Sequence, residues 1–363
     1  MPGFRPESSV PAPALTDAPS LTAAANQAVA LARAGDPRAG LALVRHVRQE
    51  ARGLALRRSE AEALNAAAMV HALRWDVIAA VAAGIDAHEI ANEVGDRSLA
   101  THALVSLAHA ASELGLRDEA RRAHAACIRQ AVETGDRELE VRARTGLGIV
   151  LGDVGEFDAA GPELCRALIL AERYHVITCP SRALSNLANF HRKRARTRTD
   201  EDREARDRDV QDGESLAERA LELAQERGNL SVQIDALAIR GWLAELQGDL
   251  PGALEHFQAS CRHATRTRSP IAWVLGETGR IHLALGDADS ARRHWQEMLD
   301  IATDLRPSTS IAVACNGLAR VERSLGNEVG DRRWSERAAE ESQELERIRA
   351  QTRRVLETFF TVR

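Results

Sequence analysis

Residues 113–120 read ELGLRDEA, and the phrase recurs as DVGEFDAA at 153–160, LQGDLPGA at 246–253, ALGDADSA at 284–291 and, more loosely, SLGNEVGD at 324–331. The third position is always glycine: Gly115, Gly155, Gly248, Gly286 and Gly326, at intervals of 40, 93, 38 and 40 residues. Seven residues before each stands a small residue, Ala108, Gly148, Gly241, Gly279 or Ala319. Five residues after it stands Ala120, Ala160, Ala253 or Ala291, with Asp331 breaking the series. Small residues let two helix backbones approach closely, and a glycine between them supplies a left-handed turn. The repeating unit is therefore a helical hairpin.

Composition agrees. The chain has 363 residues, of which 44% are hydrophobic, 28% charged and 3% aromatic, a balance that favours helix. A net charge of -5 argues against a protein that grips phosphate backbones, so nucleic acid is not an expected partner. Of 48 basic residues only Lys193 is lysine, which leaves no phosphate-loop or kinase-type lysine. Five scattered cysteines, Cys127, Cys165, Cys179, Cys261 and Cys315, suggest reduced thiols and a cytoplasmic location. No uninterrupted apolar run is long enough for a membrane span, so no membrane is expected as a partner. Residues 1–19, rich in Pro, Ser and Ala, read as a flexible tail.

The pattern of small residue, turn glycine and later alanine resembles the tetratricopeptide repeat family over roughly residues 59–340. Its period of about 40 is longer than the family's usual one and is similar to the repeats of bacterial signalling and regulatory proteins. The resemblance implies an all-α fold, a right-handed solenoid of antiparallel helix pairs, with ligands on the concave surface formed by the first helix of each pair. Filling in weaker units at 20–52 and 59–94 gives seven or eight pairs, and the array occupies 20–340.

The 93-residue interval contains HRKRARTRTDEDREARDRDVQD at 191–212. In that unit RALSNLANFH (182–191) reads as the first helix and SLAERALELA (215–224) as the second, so a charged insertion at 196–212 interrupts the hairpin. From Arg192 to Asp212 there are eight basic and seven acidic side chains, nearly balanced. A nucleic-acid arm needs unpaired positive charge, so the insertion reads as a solvated loop, an extended helix or a protein contact.

Carrying over the family register places His102, His109, Arg142, Arg182, Asn186, Asn189, Trp242, Trp273, Arg280, Asn316, Arg320 and Arg323 on or near the concave surface. Arginine and asparagine can hold a peptide backbone or carboxylate, and the two tryptophans can form an aromatic platform. Long polar residues also cover any exposed helix face. Arg182, Asn186 and Asn189 echo the family's carboxylate clamp, but neighbouring units do not repeat the set.

Catalytic readings are weaker. GLGIVLG (146–152) imitates a dinucleotide loop but lies inside a repeat helix, with Gly148 as a packing residue. The histidines offer no HExxH, and the pairs His102/His109 and His256/His263 are seven apart, so no metal is expected. His124 and Cys127 fall on the inward side of a second helix, where packing explains them. No cofactor and no enzymatic activity are expected.

Beyond the last turn, residues 341–363 belong to a long helix on which Leu345, Ile348, Thr352, Val355, Phe359 and Val362 form a heptad-like seam. The seam can cap the array or join two chains as a homodimer. This ending is similar to the connecting helix of signalling proteins whose repeat region precedes a diguanylate cyclase or kinase. The reading is a non-enzymatic regulatory module that binds a protein or peptide in its groove. The alternatives are a structural assembly protein, or a sensor region acting on an output domain elsewhere.

Overall fold

The computed structural model describes residues 15–33, 36–74, 76–176, 180–267, 272–303 and 309–361. These form sixteen α-helices and one 3-10 turn, with no strand among the described residues. In order the helices are α1 (Ala18–Arg33), α2 (Pro37–Gly53), α3 (Arg57–Leu73), α4 (Val77–Glu93), α5 (Arg97–Glu113), α6 (Arg117–Thr134), α7 (Arg137–Asp153) and α8 (Phe157–Arg173). They continue as α9 (Pro180–Thr197), α10 (Arg203–Glu226), α11 (Leu230–Leu246), α12 (Leu250–Thr267), α13 (Ala272–Ala284), α14 (Ala288–Thr303), α15 (Thr309–Ser324) and α16 (Glu328–Thr361). Trp75, Cys179, Val362 and the tail residues 1–14 lie outside the described residues.

All five anchor glycines have positive φ, from +72° at Gly115 and Gly326 to +83° at Gly155 and Gly286. At Gly115 the left-handed residue lets the Leu116 amide donate back to the Ala111 carbonyl at 2.9 Å, closing the helix end as a Schellman turn. The α2–α3 and α8–α9 turns place Ala55 (φ 58°) and His175 (φ 50°) in this strained conformation instead.

The small residues also do what their spacing implies. A Cβ added to Gly148 would lie 2.5 Å from Leu164 of the paired helix, and one on Gly317 would lie 2.3 Å from the Trp295 ring. His124 rests on Gly146 in the same way, its ring 2.1 Å from where a Cβ would stand. Large residues of these second helices thus sit where a facing first helix lacks side chains, which brings the backbones together around an alanine-rich core.

Each helix packs on its chain neighbours. Odd-numbered helices also touch one another, α1 with α3, α3 with α5, α5 with α7, α7 with α9, α9 with α11 and α13 with α15. Among the described residues the even-numbered helices from α2 to α14 show no comparable contacts with one another. Crowding of first helices and spreading of second helices is the geometry of a curved solenoid with the first helices on its inner wall.

The charged insertion is helical. α9 runs on to Thr197 and α10 has 24 residues, where α8 and α12 have 17 and 18. Asp209, 1% exposed, pins the two extensions together. It accepts from Arg198 Nε at 2.7 Å and Arg194 Nε at 2.9 Å, and lies 3.0 Å from His191 Nδ1. These partners outweigh burial and hold its carboxyl down at about 2.

α16 does not end on its own repeat. Its second half crosses back onto α4 and α6, where Ile348, Leu356 and Phe359 join a core containing Val77, Val81, Leu104 and Leu116. The heptad-like seam is corrected here: Thr352 is buried, but Val355 is 42% exposed and Leu356 takes its place at 1%. Steps of four, four and three from Ile348 follow the 3.6-residue period of a straight helix crossing its neighbours, rather than the 3.5 of a supercoil. Leu345 is partly buried against the same core.

Candidate functional site

The inner walls of α9, α11 and α13 form a cleft of ≈ 260 Å³ lined by Ser185, Asn186, Asn189, Asp235, Ile239, Trp242 and Trp273. Four of these, Asn186, Asn189, Trp242 and Trp273, are expected at such a surface from sequence. The register explains why they meet: Asn186 and Asn189 are one turn apart on α9, while the tryptophans come from successive first helices.

Trp242 is fixed in several directions. Its ring stacks on Trp273 with centroids 5.6 Å apart and planes 20° from parallel, and its edge meets Phe257. Its Nε1 donates to Glu277 at 2.9 Å, and the Arg192 guanidinium lies 4.4 Å from its ring centroid. Trp273 is 36% exposed, so the stack ends in an open indole surface.

Charged groups frame the cleft. Arg182 donates to Ser231 Oγ at 3.0 Å and to Asp235 at 3.4 Å. Burial in the concavity raises the Asp235 carboxyl above its ordinary range, with Arg182 opposing. Arg280 donates to Glu245 Oε2 at 2.6 Å and to Glu277 at 3.0 Å. Burial would weaken its charge, but these two carboxylates more than compensate. Arg182 and Arg280 are therefore struts between neighbouring first helices.

The other candidates do not converge on this cleft. Arg142 lies half-buried on α7, where its charge adds to the burial that pushes the His102 imidazole below its usual range. His109 is exposed on α5 beside Glu113. Asn316, Arg320 and Arg323 are exposed on α15, with Arg323 held by Asp331 at 2.9 Å. His124 is buried, its Nδ1 without a hydrogen-bond partner, and burial drives its pKa to about 3. Burial likewise pushes the Cys127 thiol up to about 12, so neither is poised for nucleophilic chemistry.

Sequence reading missed Ser185, Asp235 and Ile239, and above all Arg192. Arg192 is 9% exposed and donates from Nε to Asn189 Oδ1 at 2.8 Å. Helical spacing from Ser185 through Asn189 to Arg192 would have found it, had the helix been carried beyond His191. Among the described residues one group could in geometry hold a metal: His191, Asp209 and Asp212 present ligand atoms within 4.8 Å of one another. The Arg194 and Arg198 guanidinium groups on Asp209 already supply its positive charge and disfavour a cation there.

The fold is a tetratricopeptide-like α-solenoid. Neither a protein-family model nor a curated protein sequence matches the chain. Solved structures do match in fold. The Rap conjugation gene regulator of plasmid pLS20, in complex with the Phr* peptide, is 10% identical with a TM-score of 0.61, covering 91% of this chain and 97% of that one. A Rap protein complexed with competence and sporulation factor is 14% identical with a TM-score of 0.58, covering 91% and 99%. A signal-transduction ATPase with a tetratricopeptide repeat sensor from Pyrococcus horikoshii is 15% identical with a TM-score of 0.53, covering 77% of this chain and 41% of that one. No described helix is long and apolar enough to cross a membrane.

Proposed function

We propose that the chain is a non-enzymatic regulatory module that binds a peptide or an extended protein segment against the inner walls of α9, α11 and α13. The observation that carries this is the convergence of Asn186, Asn189, Trp242 and Trp273 on one cleft from three successive first helices. Asparagine amides offer a donor and an acceptor to each peptide unit they meet, and the open Trp273 face offers apolar area at low entropic cost. The Rap structures, which share the fold, contain a peptide in one case and competence and sporulation factor in another.

The competing reading is assembly through α16. It is less favoured because Ile348 and Phe359 are already buried within the chain, and among the described apolar seam residues only Val355 is exposed. The two readings separate in one binding assay against peptides selected from a random library. Asn186→Ala/Asn189→Ala and Trp273→Ala should each weaken binding at least about tenfold, the scale of one or two lost hydrogen bonds or an aromatic anchor. Arg219→Ala, on the outer helix α10, should not. Equal affinity for all three variants would refute groove binding.

A further inference from the structure

Arg192 is a buried cation. Its Nε is spent on Asn189 and its plane lies over Trp242, but it forms no ion pair among the described residues. The carboxylates nearest to it in electrostatic effect are Asp153, Glu245 and Glu277, and all three are engaged elsewhere. Asp153 pairs with Lys193 and, at 2.7 Å, with Arg117. Glu245 and Glu277 hold Arg280, and Glu277 also accepts from Trp242. One turn further along α9, the exposed Arg196 adds a second guanidinium without an ion pair among the described residues.

Burial and the neighbouring Arg196 depress the Arg192 pKa to about 10, which still leaves it fully charged at neutral pH. Taking a guanidinium out of water without a paired counter-charge is unfavourable, so an anion delivered to it would be favoured. Both residues that position it, Asn189 and Trp242, line the cleft. The terminal nitrogens of a guanidinium suit a planar carboxylate.

We propose that Arg192, seconded by Arg196, is an anion-receiving subsite at the end of the cleft and that the segment bound there is an acidic peptide, its Asp or Glu carboxylate docking on Arg192. This rests on the groove-binding reading above. It also narrows it, because Asp235, the acidic residue lining the cleft, is taken by Arg182, so the charge left over is positive. A nucleic-acid strand suits the site less well: its repeating phosphates would run past Asp153, Glu245 and Glu277, where one carboxylate need meet only Arg192.

The test is an array of random ten-residue peptides, acetylated and amidated so that only Asp and Glu side chains supply carboxylates, probed with the full chain at fixed ionic strength. Bound peptides should be enriched in Asp or Glu. Replacing the critical acid of the best binder by its amide should weaken it about tenfold. Arg192→Met should cause the same loss with the acidic peptide and little with the amide version, while Arg192→Lys restores part of it. Circular dichroism and melting temperature of Arg192→Met should match the parent; should it not fold, Arg196→Met is carried through the same cycle, with a smaller coupling expected. Binders without acid enrichment, or independent losses in the cycle, would overturn the acidic-peptide assignment and leave groove binding standing. An array with no binders would overturn both. Arg192-dependent binding of a ten-nucleotide oligothymidylate in preference to acidic peptides would overturn the carboxylate in favour of phosphate.

Discussion

The Arg349 guanidinium donates from Nε to the Leu114 carbonyl at 2.6 Å, joining residues 235 apart in the chain. Leu114 closes α5 in the third repeat and Arg349 lies midway along the last helix, so this bond ties the last helix to the third repeat. Arg353 and Glu119, 3.4 Å apart, reinforce it, and Phe359 meets the His88 ring edge-on with centroids 5.4 Å apart. The returning α16 is thus a structural member rather than a free tail.

Truncation should show this. Phe359→Ala removes a side chain that is 7% exposed in the shared core, and Ile348→Ala one that is 6% exposed. Each should cost about 2–4 kcal/mol, the usual loss for a large-to-small change in a core. Urea unfolding would measure it. A chain ended after Glu340 should additionally expose Val77, Val81 and Leu116, which surround these residues, and bind a hydrophobic dye. Unchanged stability in all three variants would mean that α16 is not docked in solution.

Two turns offer a gain instead. Ala55 and His175 occupy the left-handed region where eight of the other turn positions carry glycine. Ala55→Gly and His175→Gly should each raise stability by about 0.5–1 kcal/mol, since relief of the positive φ exceeds the added freedom of the unfolded chain. Thermal melting would detect shifts of that size in the double variant.

His124 links stability to pH. Its folded pKa, about 3, lies below its ordinary value of 6.5, so between those two values the unfolded chain binds the proton and the folded chain does not. Stability from this group is complete above about pH 6.5 and is lost progressively as pH falls toward 3. His124→Leu should therefore be relatively more stable at pH 4.5 than at pH 7.5 when each is compared with the parent. A difference independent of pH would show that the imidazole is not buried neutral.

Asp209 carries the opposite kind of group. Its pKa is depressed from 3.8 to about 2, so its contribution is present above about pH 4 and disappears as pH falls through 2. Asp209→Asn at neutral pH leaves Arg194 and Arg198 facing each other without their carboxylate. It should cost about 2 kcal/mol, the scale of hydrogen bonds to a buried charge. Loss of helicity confined to the α9–α10 hairpin, read by hydrogen exchange, would place the effect.

The repeat was legible because the requirements of a helical hairpin are local. A positive φ at Gly115 and a close approach at Gly148 each demand one residue type, and they recur at fixed spacing. Four of the seven residues lining the cleft were legible for the same reason, since register alone brings Asn186, Asn189, Trp242 and Trp273 to the inner wall. Arg192 was not, because a run of charges looks alike whether it is a loop or a helix. The deciding contact, Asp209 with Arg194 and Arg198, joins α10 to the end of α9 across the hairpin and leaves no local signal in the sequence. The seam of α16 was misjudged at Val355 for a related reason. Periods of 3.5 and 3.6 differ by less than one residue over so short a stretch, and only the position of α4 and α6 selects Leu356.

The most direct test of groove binding is photocrosslinking. A peptide selected on the full chain would be resynthesised with a benzophenone at its centre, irradiated in complex and mapped by mass spectrometry. Binding in the groove predicts adducts on α9, α11 and α13, concentrated around Asn189, Trp242 and Trp273. Adducts confined to the outer even-numbered helices, or to α16, would contradict it.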